Sequence, residues 1–164
     1  MKPLQPIDHS ALRTNQALII LLLLVSFIFN LQLLAGLVGV AMLSAALLGR
    51  PAFGWVYSAL LKPRGWLKPD VLMDNRQPHT FAQGFGGAVL LIAGVLFLSG
   101  LALIGWGLVW LVIALASLNL FVGFCVGCAV YYWLNRLQVP GFTQSPPPGT
   151  PAGWRPRREG QGQY

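Results

Sequence analysis

Charged side chains are scarce in this sequence. Asp, Glu, Lys and Arg make up only 9% of its 164 residues, whereas hydrophobic residues make up 55%. Soluble domains carry about 25% charged residues. No charge interrupts the chain from Thr14 to Gly49 or from Phe81 to Leu134. A soluble domain could not cover its surface with so few charges, so we predict an integral membrane protein with the lipid bilayer as its main environment.

The distribution of the few charges excludes two further classes of protein. The net charge is +7, but the Lys and Arg residues flank the apolar stretches and form no basic face of a folded domain, so we predict no nucleic-acid binding. Ion pumps and proton-coupled transporters need ionisable groups within the membrane. The apolar stretches contain none, which argues against active ion or proton transport.

The first uncharged stretch is too long for one membrane-spanning helix. Its 36 residues would form a helix of about 54 Å, against about 30 Å for the hydrocarbon core. A turn near Asn30 and Gln32 would let water reach these two amides. We therefore predict a helical hairpin, with span one at about residues 15–29 and span two at about 33–48.

The second uncharged stretch also predicts a hairpin. Ser99 and Gly100, together with residues 105–107, are typical of a turn. Span three is predicted at about residues 81–98 and span four at about 106–134. The predicted fold is an all-α integral membrane protein whose four transmembrane helices form two hairpins.

Residues 50–80 join the two predicted hairpins. Prolines at four positions prevent one continuous helix, although residues 53–61 could form a short one. Trp55, Tyr57 and Trp66 lie beside basic residues and suit a headgroup interface. We predict a partly interfacial loop, with a fully solvated loop as the alternative.

The basic residues also predict an orientation. The N-terminal segment carries two Lys or Arg residues, the central loop five and the C-terminal segment four, whereas the two predicted turns carry none. The positive-inside rule then predicts a multi-pass protein of the cytoplasmic membrane with a cytoplasmic N-terminus, central loop and C-terminus. Residues 1–138 would form the membrane domain. The Pro- and Gly-rich basic tail, residues 139–164, is expected to be disordered.

Cys125 and Cys128 are the only cysteines, and they form a CxxC pair. Two thiols three residues apart share one side of a helix; they could form a disulfide, share a metal or pass a persulfide. Within the predicted span four they would lie near the helix C-terminus, which favours the neutral thiol. Gly123 and Gly127 would pack that helix from the opposite side. The alternative is a chance pair of small buried residues.

Several polar residues are expected near the same membrane face as the two thiols. They could form a polar vestibule around the dithiol, or simply anchor helix ends. The candidate supporting residues are Arg13, Asn15, Gln16, Gln83 and Asn119. The spacing of His9 and His79 matches no zinc motif, so no metal site is predicted.

Four segments together resemble an uncharacterised bacterial membrane family, domain of unknown function 4395. The resemblance covers about residues 7–135, and Thr80 stands where the family pattern has a basic residue. The segments are RTNQ at 13–16, PRGWLKP at 63–69, TFAQGFGG at 80–87 and LNLFVGFCVGCAVYYWL at 118–134.

This resemblance implies a multi-span bacterial inner-membrane protein of unassigned activity. It also implies thioredoxin-like or sulfurtransferase partners, which favours a functional dithiol. The plan of four spans and a CxxC pair is similar to that of quinone-linked disulfide-forming proteins, but their reactive cysteines face the opposite side of the membrane.

We therefore predict a membrane-embedded dithiol protein in redox or sulfur transfer. Cys125 and Cys128 would exchange with a cytosolic thioredoxin-like or sulfurtransferase partner. The alternatives are a non-catalytic accessory subunit of a larger membrane complex, or a channel or carrier for a neutral or sulfur-containing solute. Whether the protein is an enzyme stays open. No cofactor is evident, and a bound quinone or pigment stays open.

Overall fold

The computed structural model describes residues 4–156 and is mostly helical over that range. The elements in chain order are β1 (Gln5–Asp8), α1 (His9–Ile28), α2 (Gln32–Leu47), α3 (Gly54–Val56), a π-helical turn (Tyr57–Leu61), β2 (Val71–Asp74), α4 (Arg76–Leu98), α5 (Ala102–Ser117), a second π-helical turn (Leu118–Val122) and α6 (Val126–Arg136).

Three helices are long and apolar enough to cross a membrane: α1, α4 and the continuous stretch Ala102–Val122. The apolar helix α2 is shorter, with 16 residues. Large apolar side chains of the bundle face outward; Leu33 and Leu98, for example, are 78% and 91% exposed. Apolar surface of this extent requires a partner other than water. The length and apolarity of these three helices, together with the outward-facing apolar side chains, favour a helical membrane protein.

Glycines allow α2 and α4 to pack closely. A Cβ added to Gly39 would lie 2.8 Å from Cβ of Leu90, and one added to Gly87 would lie 2.9 Å from the backbone nitrogen of Leu43. Small residues at such contacts let helix backbones approach and gain dispersion energy, which is how membrane helices associate without a hydrophobic driving force. The contact between α2 and α4 is the most extensive between two helices in the described part of the chain.

Two helices begin earlier than the sequence pattern predicted. Helix α1 begins at His9 rather than near residue 15, because Oδ1 of Asp8 caps it by accepting the Ser10 N–H at 3.0 Å. Helix α4 begins at Arg76, ahead of the predicted start at residue 81. Pro78 lies in its first turn, where the N–H that proline lacks has no helical partner to lose.

The chain turns tightly at residues 29–31 and 99–101, which we call the distal turns. Asn30 and Gly100 occupy left-handed conformations there, with φ of +52° and +79°. The first turn lies where Asn30 and Gln32 predicted it. In the second, residues 99–101 make the turn, whereas residues 105–107 lie inside α5.

The predicted continuous helix over residues 106–134 is wrong. The helix that begins at Ala102 ends in the π-helical turn Leu118–Val122, and Gly123 then takes a left-handed φ of +76°. This conformation stops a right-handed helix at low cost only for glycine. A separate helix, α6, begins at Val126. Gly123 therefore acts as a helix stop, not as a packing residue.

A small antiparallel sheet adds strands to the predicted all-α fold. Strand β1 pairs with β2, with Gln5 opposite Asp74 and Asp8 opposite Val71. Along β2 the side chains alternate between exposed and buried, a pattern too short to stand out from the sequence. The sheet fixes the segment before α1 to the segment before α4.

The described part of the C-terminal tail packs against the protein, in contrast to the predicted disorder. Phe142 packs on α6 and α4 through Tyr131 and Phe81, and the carbonyl of Phe142 accepts a hydrogen bond of 2.6 Å from Asn135. Gln144 is buried. Composition alone could not reveal these tertiary partners. Residues 157–164, also part of the prediction, lie outside the described residues.

Candidate dithiol site

The helix break sets the environment of the two cysteines. Cys125 is the N-cap of α6, with extended backbone angles, and Cys128 lies in the first turn. The Cys125 Sγ accepts a hydrogen bond of 3.2 Å from the Cys128 N–H. The positive end of the α6 dipole therefore points at these sulfurs and favours the thiolate. The predicted position near a helix C-terminus, which would favour the neutral thiol, is wrong.

Cys125 and Cys128 are joined by a disulfide. Their Cα atoms are 5.2 Å apart, within the usual range for a disulfide. This geometry is accessible because Cys125 lies outside the helix. Both residues are buried, at 7% and 3% exposure, so the pair is not open to solvent in this conformation.

A histidine and a carboxylate lie behind Cys128. His79, in the first turns of α4, places Nδ1 3.6 Å from the Cys128 Sγ and Nε2 2.9 Å from Oδ2 of Asp74. His9 Nε2 approaches the same oxygen at 3.2 Å. An ionised carboxylate only accepts hydrogen bonds, so a neutral His79 carries its proton on Nε2 and turns the Nδ1 lone pair toward the sulfur. Sulfur, imidazole and carboxylate thus form a Cys–His–Asp relay.

Electrostatics keep the Asp74 carboxylate ionised. Burial by itself would raise its pKa, but hydrogen bonds from His79 and His9, the charge of His79 and the Asn75 N–H outweigh that effect and hold the pKa well below its usual range. Nearby, burial and the charge of Asp74 raise the pKa of Tyr132 to about 12, against a hydrogen bond from Asn75 that lowers it. The site thus keeps one fixed negative charge and a neutral phenol.

Residues 153–155 of the tail cover the disulfide, and we call them the cover segment. The Cys125 N–H donates to the Gly153 carbonyl at 2.8 Å, and the Arg155 N–H donates to the Gly123 carbonyl at 3.1 Å. A Cβ on Gly153 would lie 2.7 Å from Cβ of Ala129. The Arg155 side chain forms an ion pair with Asp70, so the cover segment is held at both its backbone and its charged end.

Three of the five candidate supporting residues line a small cavity beside the sulfurs. The cavity has a volume of about 30 Å³, room for a water or two. Its walls include Arg13, Gln16 and Asn119, and both cysteines and His79 border it.

The other two candidates, Asn15 and Gln83, hold helix ends together. Asn15 accepts the Phe53 N–H at 2.8 Å and donates to Gln83 at 3.4 Å. Gln83 donates to the Met42 and Arg50 carbonyls. Both border a second cavity of about 100 Å³ between the helices, which also reaches Cys125. Three of the five candidates therefore lie beside the sulfurs, and the other two border a neighbouring cavity that is mostly apolar.

Fold and site together define a class: a mostly helical protein that has three helices long and apolar enough to cross a membrane, and a covered CxxC disulfide at one end of its bundle. The chain belongs to the family described as Domain of unknown function (DUF4395), whose model matches residues 7–136. No curated protein and no solved structure matches it.

Asp74 and the cover segment are not among the site residues predicted from the sequence, and the spacing of His9 and His79 predicted no metal site. A signal for the first existed: the chain has only four acidic residues, and Asp8, Asp70 and Asp74 all lie around the start of α1. In a chain with so few acidic residues, a carboxylate directly before an apolar helix indicates a candidate functional site. The contact of the tail with Cys125 has no local sequence signal.

Proposed function

We propose that this protein exchanges a disulfide with a thioredoxin-like dithiol protein at the membrane surface. The observation that carries the proposal is the asymmetry of the CxxC pair: Cys125 caps α6 and Cys128 faces His79. The same two features activate thiols in other proteins, namely a helix N-terminus and a neighbouring imidazole.

In this proposal α2 also crosses the membrane, giving four spans in two hairpins. Its 16 residues rise about 24 Å, which a locally thinner bilayer accommodates. The basic residues support one orientation, because the distal turns carry none. Those among the described residues, all near or beyond the opposite helix ends, are Arg13, Arg50, Lys62, Arg64, Lys68, Arg76, Arg136 and Arg155. The site would then face the cytoplasm of a bacterial cell, as would both termini.

Cys125 is the sulfur that bonds to the partner. Its Sγ already accepts the Cys128 N–H, and a hydrogen bond to the charged form of a thiol lowers its pKa. The Cys125 N–H also donates directly to the Gly153 carbonyl of the cover segment. Displacement of this segment therefore exposes Cys125 first.

Cys128 is the resolving sulfur, and His79 handles its proton. When a partner thiolate attacks Cys125 Sγ, the bond between Cys125 and Cys128 breaks and Cys128 leaves as a thiolate. His79 takes up at Nδ1 the proton that the attacking partner thiol loses, and the resulting imidazolium stabilises the Cys128 thiolate. Asp74 orients the ring through Nε2.

The second half of the exchange completes the electron balance. The other thiolate of the partner attacks the partner sulfur of the mixed disulfide and releases Cys125. The partner dithiol loses two electrons and two protons and becomes a disulfide, whereas the CxxC pair gains both. Each step is reversible, so the direction depends on the reduction potential of the partner.

Single-cysteine variants of the full-length chain in detergent test the proposal. They are mixed with a thioredoxin-like protein that lacks its resolving cysteine and carries thionitrobenzoate in a mixed disulfide on the other, so that an attacking thiolate displaces thionitrobenzoate. The Cys128→Ser variant should trap a covalent complex with the partner through Cys125, visible on a non-reducing gel and lost on reduction. Cys125→Ser leaves the less accessible thiol and should trap much less. The double variant is the control for non-specific adducts.

Absence of any trapped complex in either variant, with the folded state verified by circular dichroism, would overturn the exchange reaction. The hypothesis of a non-catalytic accessory subunit would then be favoured if the double variant joins a larger membrane complex and the function of that complex is unchanged.

A further inference from the structure

Three potential metal-ligand atoms converge at the start of α6. The Cys125 Sγ, the Cys128 Sγ and one ring nitrogen of His79 all lie within 4.8 Å of one another. His79 Nδ1 and the Cys128 Sγ are 3.6 Å apart. Two ligands bound at about 2.3 Å (sulfur) and about 2.05 Å (nitrogen) with tetrahedral angles are separated by about 3.6 Å. The spacing of this pair is already that of a zinc site.

The far side of His79 is arranged as in known metal sites. Histidine ligands commonly donate their second ring N–H to a carboxylate, which fixes the ring and raises its basicity. Asp74 takes this role at 2.9 Å from Nε2. Asp74 is buried. The imidazole thus has one nitrogen anchored and the other directed at the sulfurs.

The ligand types select the ion. Two thiolates and one imidazole are soft to borderline donors that suit Zn²⁺, and two thiolate charges neutralise the ion in a partly apolar site. The cavity of about 30 Å³ borders all three ligands and has room for a water as a fourth ligand. Three protein ligands and a water form an open zinc site.

We infer that the reduced protein binds Zn²⁺ through Cys125, Cys128 and His79, with one coordination position open to water. Binding replaces the two thiol protons, which pass to solvent, and needs no oxidant. The disulfide has no thiolate to offer, so oxidation and metal binding exclude each other. Metal binding requires no partner, and it stands or falls separately from the exchange reaction.

Cobalt and zinc titrations of the full-length protein in detergent test the inference. The protein is reduced with a phosphine under anaerobic conditions and titrated with Co²⁺. A thiolate-to-cobalt charge-transfer band and strong tetrahedral visible bands should grow to one equivalent, then disappear as Zn²⁺ displaces Co²⁺. The same protein in its oxidised form is the matched control and should give neither band, because sequence and fold are unchanged.

Two variants separate the imidazole from the thiols. His79→Ala removes a ligand. Asp74→Asn only alters the orientation and basicity of the ring and should lower the Zn²⁺ affinity about 10–100-fold. His79→Ala should lower this affinity more than Asp74→Asn does. His9→Gln is the control, since His9 contacts the same carboxylate but offers no atom to the sulfurs; its affinity should change far less than that of His79→Ala. The proposed zinc site is overturned if the reduced protein binds no more Co²⁺ than the oxidised protein. It is also overturned if the Zn²⁺ affinity of His79→Ala equals that of the wild type.

Discussion

Gly100 and Gly123 each end a long helix in nearly the same left-handed backbone conformation, but only Gly123 is contacted by a distant part of the chain. Gly100 has φ of +79° and Gly123 has φ of +76°, and each follows a membrane helix. A Cβ on Gly100 would have no atom within 4 Å, and the chain simply turns back into α5. At Gly123 the tail crosses the backbone, and Arg155 donates to the Gly123 carbonyl.

The candidate site arises from the residues around Gly123 and not from its backbone conformation. A left-handed glycine provides only an end to a helix. At the turn around Gly100 nothing more is added, because no charged or sulfur-bearing residue lies within ten positions of Gly100 along the sequence. After Gly123 the next helix begins with Cys125, and the sheet and α4 bring a carboxylate and an imidazole to it. The chemistry thus depends on tertiary partners rather than on the turn itself.

Removal of the buried carboxylate should have the largest effect on stability. The Asp74→Asn variant loses the charge-assisted hydrogen bond from His79 and the contact of His9 with the same carboxylate oxygen. It should lower the free energy of unfolding by about 1.5–3 kcal/mol at neutral pH. Ser99→Ala at the distal turn removes only an exposed hydrogen bond to the Val95 carbonyl and should cost within about 0.5 kcal/mol. Thermal unfolding in detergent compares the two.

The effect of Asp74→Asn should depend on pH with a definite sign. The folded pKa of Asp74 is lowered, so its stabilisation is fully present above the unfolded value of about 3.9 and is lost as the pH falls toward the folded value. The wild-type and variant curves should therefore converge in acid. A constant difference down to strongly acidic pH would show that the charge does not stabilise the site.

Alanine substitutions at Gly123 and Gly100 should have intermediate effects on stability, and each variant is the control for the other. Alanine in a left-handed conformation costs about 1–2 kcal/mol, so Gly123→Ala and Gly100→Ala should lower stability by similar amounts. Only Gly123→Ala should also change the alkylation rate of the reduced cysteines, because it displaces the start of α6. Equal alkylation rates in both variants and the wild type would mean that the break does not position Cys125.

Release of the cover segment should have the smallest effect on stability. The Arg155–Asp70 ion pair is partly exposed, with side chains 28% and 23% accessible, so Arg155→Ala should cost under about 1 kcal/mol. It should nevertheless speed reduction of the disulfide by a small phosphine, since the segment over Cys125 is then less firmly held. Arg64→Ala, in the exposed central loop, is the control. Unchanged reduction rates would show that the cover segment does not limit access.

The apolar helices and the first turn follow from the sequence more directly than the local geometry of the thiols does. Charge-free stretches and the turn at Asn30 depend on composition and short-range pattern, which one sequence contains. The break at Gly123 was missed because glycine is equally suited to helix packing and to ending a helix. The contact of Gly153 with Cys125, which covers the disulfide, joins residues far apart in the chain and leaves no periodic signal.

The redox state of the CxxC pair in isolated membranes tests the central claim most directly. Membranes containing the wild-type chain are incubated with reduced or with oxidised thioredoxin-like protein, and free thiols are counted by the mass added on alkylation. Exchange predicts two alkylated thiols after the reduced protein and none after the oxidised one, with Cys125→Ser losing the response. A pair that stays in one state under both treatments would contradict the proposed exchange.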